Sequence, residues 1–137
     1  MMQTAARERL GRYLGTWDVK RRIIDRLNAT LITFEGQALL TPVQFEEHGD
    51  TTSEYATLRS SRTYWLGSEA ECLSVYFPDL TEFIHIGGAA SQRVIHHCGL
   101  DLYRGRFFFR GPDAWAEMWH VYGPRKHYVS LAHYRRV

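Results

Sequence analysis

Apolar and polar residues alternate with a period of two over most of the chain, and this alternation predicts strands. In Trp17–Ile23 one face carries Trp17, Val19, Arg21 and Ile23, and the other carries Asp18, Lys20 and Arg22. Leu31–Val43 places Phe34, Gly36, Ala38 and Leu40 together, and its mid-strand Gly36 predicts a bend or bulge. Shorter strands are predicted over Thr52–Arg59, Arg62–Leu66, Cys72–Phe77, Glu82–Ile86, Val94–Tyr103 (with Gly99 inside it) and Arg106–Arg110. A closing hairpin, Trp115–Tyr122 and a strand running to Arg136, turns at Gly123-Pro124-Arg125-Lys126. Glu46–Asp50, Gly67–Glu71, Pro78–Leu80, Gly87–Ala90 and Arg104-Gly105 are predicted turns or breaks. Thr4–Leu14 alone shows helical spacing, through Ala5, Ala6, Leu10 and Leu14, with Thr4 as its cap.

About ten short strands at such spacing predict an all-β, antiparallel up-and-down barrel with one N-terminal helix, a single domain over residues 1–137. Closure would remove exposed sheet edges and leave room for one small ligand. The helix is about three turns long and is expected to lie across one end of the barrel.

Composition narrows the function classes. Aromatic residues make up 14% of the 137 residues, which suits a pleated, half-buried surface. A formal charge of +2, with arginines scattered along the chain, gives no footprint for nucleic acid. The start lacks the apolar run of a signal peptide, and no window is long and apolar enough to span a membrane, so a cytoplasmic protein is expected. Cys72 and Cys98 read as small buried hydrophobes. No His or Cys pair has zinc-site spacing, no nucleophile elbow or phosphate loop appears, and neither metal nor cofactor is expected.

Several motifs together resemble a family of small lipocalin-like bacterial domains of unknown function. They are Gly15-x-Trp17-x-x-x-Arg21, Arg62-x-Tyr64-Trp65, Phe83-Ile84-His85, His97-Cys98-x-x-Asp101-x-Tyr103, Trp119-x-Val121-x-Gly123-Pro124-Arg125-Lys126 and Tyr134-x-Arg136. The resemblance implies a barrel with a central cavity and a first-strand Trp packed under an Arg from the end of the barrel, here Arg135 or Arg136. It implies no activity. His127 stands where an acidic residue often follows the Lys of that pattern, which removes the salt bridge expected at the turn.

Strand phase then nominates interior residues. Arg21, Arg62, Tyr64, Phe83, Asp101, Tyr103, Trp119, Tyr134 and Arg136 are candidate ligand-binding residues, because a planar guanidinium grips an oxyanion in two places and Tyr adds a hydroxyl donor. The competing reading pairs such an Arg with Asp25 or Asp101 and makes the network a plug. His97, chosen from the His96-His97 dipeptide because the two rings must face opposite ways, joins His85 as a candidate catalytic residue. Three functions follow. The first is binding of a small, partly apolar anionic molecule. The second is cofactor-independent isomerase, cyclase or lyase chemistry by a cavity His and Tyr. The third is haem binding through one interior His. The expected partner is a small molecule, with neither nucleic acid nor membrane. Trp115–Tyr122 is apolar on both faces, which leaves its inward phase open and suits a homodimer contact.

Overall fold

The computed structural model describes residues 3–69 and 72–137, with side chains placed for 8–68 and 72–137. The helix α1 (Gln3–Tyr13) precedes ten strands: β1 (Gly15–Asp25), β2 (Thr30–Leu40), β3 (Gln44–Thr52), β4 (Thr57–Glu69), β5 (Cys72–Tyr76), β6 (Glu82–Ile86), β7 (Ser91–Cys98), β8 (Asp101–Arg110), β9 (Ala114–Gly123) and β10 (Lys126–Arg136). Every pairing is antiparallel, and β1 also pairs with β10, so the meander bends back on itself into a nearly closed barrel. The sheet's two edges are β6 and β7, which face each other across a seam without ladder hydrogen bonds. The cap assigned to Thr4 and the residues Ala70-Glu71 of one predicted turn lie outside the described residues and side chains.

The alternation places β1, β2 and β10 correctly because most of their inward residues are apolar or aromatic and most of their outward residues polar. It failed where inward residues are themselves polar. Glu46–Asp50 is no turn but the middle of β3, with Glu47 and Gly49 inward and Glu46, His48 and Asp50 outward. Ser60-Ser61 does not break β4, since both pair with β3 opposite Gly49 and His48. Val94–Tyr103 is two strands. Gly99, at φ 59°, opens a two-residue hairpin in which Cys98 pairs directly with Asp101. Arg104-Gly105 consequently lies inside β8. Gly36 makes no bulge either. It pairs with Gly49 in unbroken register, and a Cβ on Gly36 would stand 2.6 Å from the Gly49 Cα, so the two glycines let β2 and β3 close up. The register shift instead falls between Val75 and Tyr76 in β5.

One end of the barrel is plugged. Arg9 donates to the carbonyls of Gly87, Gly88 and Ala89 at 3.1, 2.6 and 2.6 Å and rests on the Phe109 ring, which fastens α1 across the β6–β7 loop. The Tyr13 hydroxyl donates to the Gly111 carbonyl. Trp17, with no accessible surface, donates from Nε1 to the Tyr13 carbonyl at 2.9 Å and packs at 4.4 Å against Trp115. The Arg136 guanidinium lies 4.4 Å over the Trp17 ring and donates to the carbonyls of Leu14 and Pro112, both at 2.8 Å, and to that of Arg12. Among the described residues no helix covers the opposite end, which carries the turns at 26–29, 53–56 and 99–100.

On β1 to β3 the outer wall is polar at mid-strand, where Asp18, Lys20, Arg22, Glu35, Gln37, His48 and Asp50 are exposed, while Trp65, Ile95 and Leu131 are exposed on other strands. Among the described residues no helix is long and apolar enough to cross a membrane. On β9 the inward phase is Trp115, Glu117, Trp119 and Val121, which leaves Met118, His120 and Tyr122 outward.

Candidate functional site

At mid-height the interior holds charge. Glu47 on β3, with 1% of its surface accessible, receives Arg21 of β1 and Arg62 of β4. Arg21 Nη2 donates to both carboxylate oxygens at 3.0 and 2.9 Å, and Arg62 grips them through Nε at 2.9 Å and Nη2 at 3.2 Å. The Tyr134 hydroxyl, fully buried on β10, donates to Glu47 Oε2 at 2.5 Å and accepts from Arg21 Nη2 at 2.8 Å. Burial pushes the Glu47 carboxyl up, but Arg62 and Arg21 outweigh it and hold it at about 2. Burial raises the Tyr134 phenol, reinforced by Glu117 and Glu47, so it stays a donor.

The two guanidiniums bring two positive charges to the one carboxylate of the cluster. They also leave donors in hand. The Nε and Nη1 of Arg21 take no part in the cluster, and Arg62 Nη1 meets only the Tyr64 hydroxyl at 3.4 Å. Both arginines line a cavity of about 550 Å³. Arg62 keeps 39% of its side chain accessible although it sits deep in the barrel, because that surface opens onto the cavity. The remaining wall is mostly aromatic and aliphatic. Tyr64, Phe83 and Trp119 form a stack of near-parallel rings, with centroids 5.5 and 5.4 Å apart and planes 13° and 17° off parallel. Phe77, Phe107, Leu66, Leu73 and Val75 fill in around them. A flat apolar surface beside spare guanidinium donors accommodates a molecule with an apolar body and an anionic head.

A model of a family described as of unknown function, DUF6314, matches residues 13–136. The chain belongs to DUF6314. No curated protein matches it. Among solved structures, the DUF6314 barrel is similar to an S-type phycobiliprotein lyase, CPES, from Guillardia theta. The TM-score is 0.66 at 14% identity, over 96% of this chain and 92% of that one. It is also similar to a protein of unknown function from the DUF3598 family of Nostoc punctiforme. There the TM-score is 0.61 at 12% identity, over 93% of this chain but 49% of that one, so this barrel spans about half of that protein. A de novo designed transmembrane β-barrel aligns with a TM-score of 0.52 at 9% identity, over 89% of this chain and 94% of the design. At such identities the likeness is one of fold, a lipocalin-like barrel.

Of the residues nominated from sequence, the DUF6314 barrel turns Arg21, Arg62, Tyr64, Phe83, Tyr103 and Trp119 to the cavity. Tyr134 stands behind the wall, inside the ion cluster. Arg136 belongs to the plugged end and does not reach the cavity, because Trp17 and three carbonyls hold its guanidinium there. Asp101 sits at the hairpin turn and pairs with Lys126 at 3.3 Å. Lys126 thus finds its carboxylate partner on β8 and not at position 127 of its own turn. Lys126 also donates to the Tyr103 hydroxyl at 2.8 Å, and that bond, with Asp101, raises its ammonium above the usual range.

Neither catalytic candidate faces inward. His97 is exposed because the Gly99 hairpin fixes β7 so that Val94 and His96 face in. His85 lies outside on β6, its Nδ1 3.0 Å from the Ser74 hydroxyl. The cavity histidine is His96, edge-on to Phe83 at 5.2 Å and to Phe77 at 5.5 Å, with Tyr103 at 5.8 Å. A porphyrin ligated at His96 would displace these three rings, so the residues present do not fit haem. The cysteines are free, and neither is buried: Cys72 is half-buried, and Cys98 is exposed where it meets the cavity. Sequence reading missed Glu47, which looked like part of a turn, and Glu117, whose two flanking tryptophans obscured the strand's phase.

Proposed function

We propose that the barrel binds one small, partly apolar anionic molecule. Its acid group sits on the spare donors of Arg21 and Arg62, and its apolar body lies along the Tyr64–Phe83–Trp119 stack. The observation that carries this reading is the cluster's stoichiometry: two arginines share one buried glutamate beside a mostly apolar cavity of about 550 Å³. A solid core would not retain free guanidinium donors, since a buried charge without a partner is costly.

The test is displacement of the fluorescent probe 1-anilinonaphthalene-8-sulfonate by 2-naphthylacetate and by its neutral methyl ester. Hydrogen bonds to charged groups contribute about 1.5–3 kcal/mol, so the acid should bind ~10- to 100-fold tighter than the ester. Arg62→Gln should remove most of that advantage. Because both guanidiniums stand inside the barrel and not on its surface, salt should change the affinity little. Equal binding of acid and ester, or none of either, would contradict the reading.

A second reading, an isomerase, cyclase or lyase acting on the bound molecule, rests on His96, which stands in the cavity beside Tyr103. An imidazole in that position can serve as a proton donor or acceptor, and the fold is shared with a phycobiliprotein lyase. This reading predicts that ligand carried through purification by His96→Ala protein is chemically different from that recovered from wild type. Identical ligand from both proteins would set it aside.

A further inference from the structure

The ion cluster leaves one interior charge unexplained. Glu117 on β9 lines the cavity, has 9% of its surface accessible and has no cation within salt-bridge reach among the described residues. Its partners are the two indoles that flank it at period two. Trp115 Nε1 donates to Oε2 at 3.4 Å and Trp119 Nε1 to Oε1 at 3.2 Å, both long. The indoles are themselves fixed. Trp115 stacks on the Tyr134 ring at 4.2 Å, and Trp119 covers Gly105, where a Cβ would stand 2.8 Å from its ring. The carboxylate is therefore held in place by neutral donors and keeps acceptor sites toward the cavity, since a carboxylate has about four lone-pair sites.

Register places it close to the arginines. Glu117 pairs with Ala132, and Ala132 pairs with Arg21. The two charged residues stand at one level, two strands apart, about 10 Å between Cα atoms at ordinary strand spacing. A ligand head that meets the arginines with its acid group therefore lies within reach of Glu117.

We propose that Glu117 is a second subsite, for a hydrogen-bond donor on the ligand head. The barrel then selects amphoteric molecules: an acid group and an N–H or ammonium group a few bonds apart, on an apolar body. This rests on the reading that the cavity binds an anionic ligand, and it goes further by naming the group that accompanies the acid. It also balances the interior, where Arg21 and Arg62 face Glu47 and Glu117. A plain anion would add a negative charge beside an unpaired carboxylate, whereas an amphoteric head meets both.

Two probes of the same shape separate the ideas. N-(2-naphthoyl)glycine carries an amide N–H beside its acid, and O-(2-naphthoyl)glycolate has an ester oxygen in its place. Wild-type protein should bind the amide about tenfold or more tighter than the ester, the scale of one hydrogen bond to a charged acceptor. Glu117→Met should abolish the difference between amide and ester, with the ester, freed of the negative charge beside it, bound no more weakly than by wild type. A purely structural Glu117 would lower both alike. Should Glu117→Met fail to fold, the wild-type preference decides the matter, with Glu117→Gln expected to keep only part of it. Equal binding of amide and ester by wild type overturns the donor subsite and leaves the anion reading standing. Binding of neither probe overturns both.

Discussion

Glu47→Gln should unfold far more easily than wild type. The substitution removes from the barrel interior the one carboxylate that Arg21 and Arg62 both bind. Removing one partner of a buried ion pair costs about 3–5 kcal/mol. With a urea m-value near 2 kcal/mol/M, the midpoint falls by about 2 M. Replacing all three members at once, Arg21→Met with Glu47→Leu and Arg62→Met, should recover most of that stability, as apolar replacement of buried ion networks commonly does. The triple variant should also lose the preference for an acid over its ester. A Glu47→Gln protein as stable as wild type would mean that the cluster is more hydrated than the 1% accessibility of Glu47 implies.

The same carboxylate sets an acid limb of stability. Its folded-state pKa, about 2, lies below the ordinary value of 4.5. The native state thus releases this proton more readily than the unfolded chain. The contribution is complete above pH 4.5 and is lost as pH falls toward 2. A depression of this size corresponds to about 3 kcal/mol across the window. In Glu47→Gln, the dependence of stability on pH should be shallower there by about one proton.

Trp17→Ala should be comparably damaging. Trp17 has no accessible surface and joins three parts of the plug: the Arg136 guanidinium above it, the Tyr13 carbonyl at its Nε1 and Trp115 beside it. Deleting a fully buried indole costs about 3–5 kcal/mol. Because Trp17 binds the last turn of α1, amide hydrogen exchange in that helix should accelerate more than exchange in β2 or β3. Trp17→Phe, which keeps a ring under Arg136 but loses the N–H donor, should cost less than half as much. A Trp17→Ala loss below 1 kcal/mol, or uniform acceleration of exchange, would mean that the helix is held by Arg9 instead.

These residues also mark where the sequence is legible. Gly15-x-Trp17 with a late Arg reads directly, because its parts meet by strand pairing: Trp17 lies opposite Arg136 in the β1–β10 register. Arg21, Arg62 and Tyr64 are legible because each shares a face with apolar neighbours, so a charge in phase with them has to point inward. Glu47 escapes for the opposite reason. Its inward neighbours are Phe45 and Gly49 and its outward ones are charged, so the stretch lacks the contrast that periodicity needs. Glu117 sits between two tryptophans on a strand whose other face carries Met118 and Tyr122, and phase there follows only from the pairing of Trp115 with Tyr134. The choice of His97 over His96 turned on Gly99. Read as a bend it keeps one strand's phase, whereas as the first residue of a hairpin it ends β7 and reverses the assignment.

A crystal of the protein grown with 6-bromo-2-naphthylacetate tests the central claim most directly, because the anomalous signal of bromine locates the probe without assumption. The account predicts one bromine inside the barrel beside the Phe83 and Trp119 rings, with the carboxylate within hydrogen-bond distance of the Arg21 or Arg62 guanidinium. Bromine found only on the outer wall, with side chains closing the space between Tyr64 and Trp119, would contradict it.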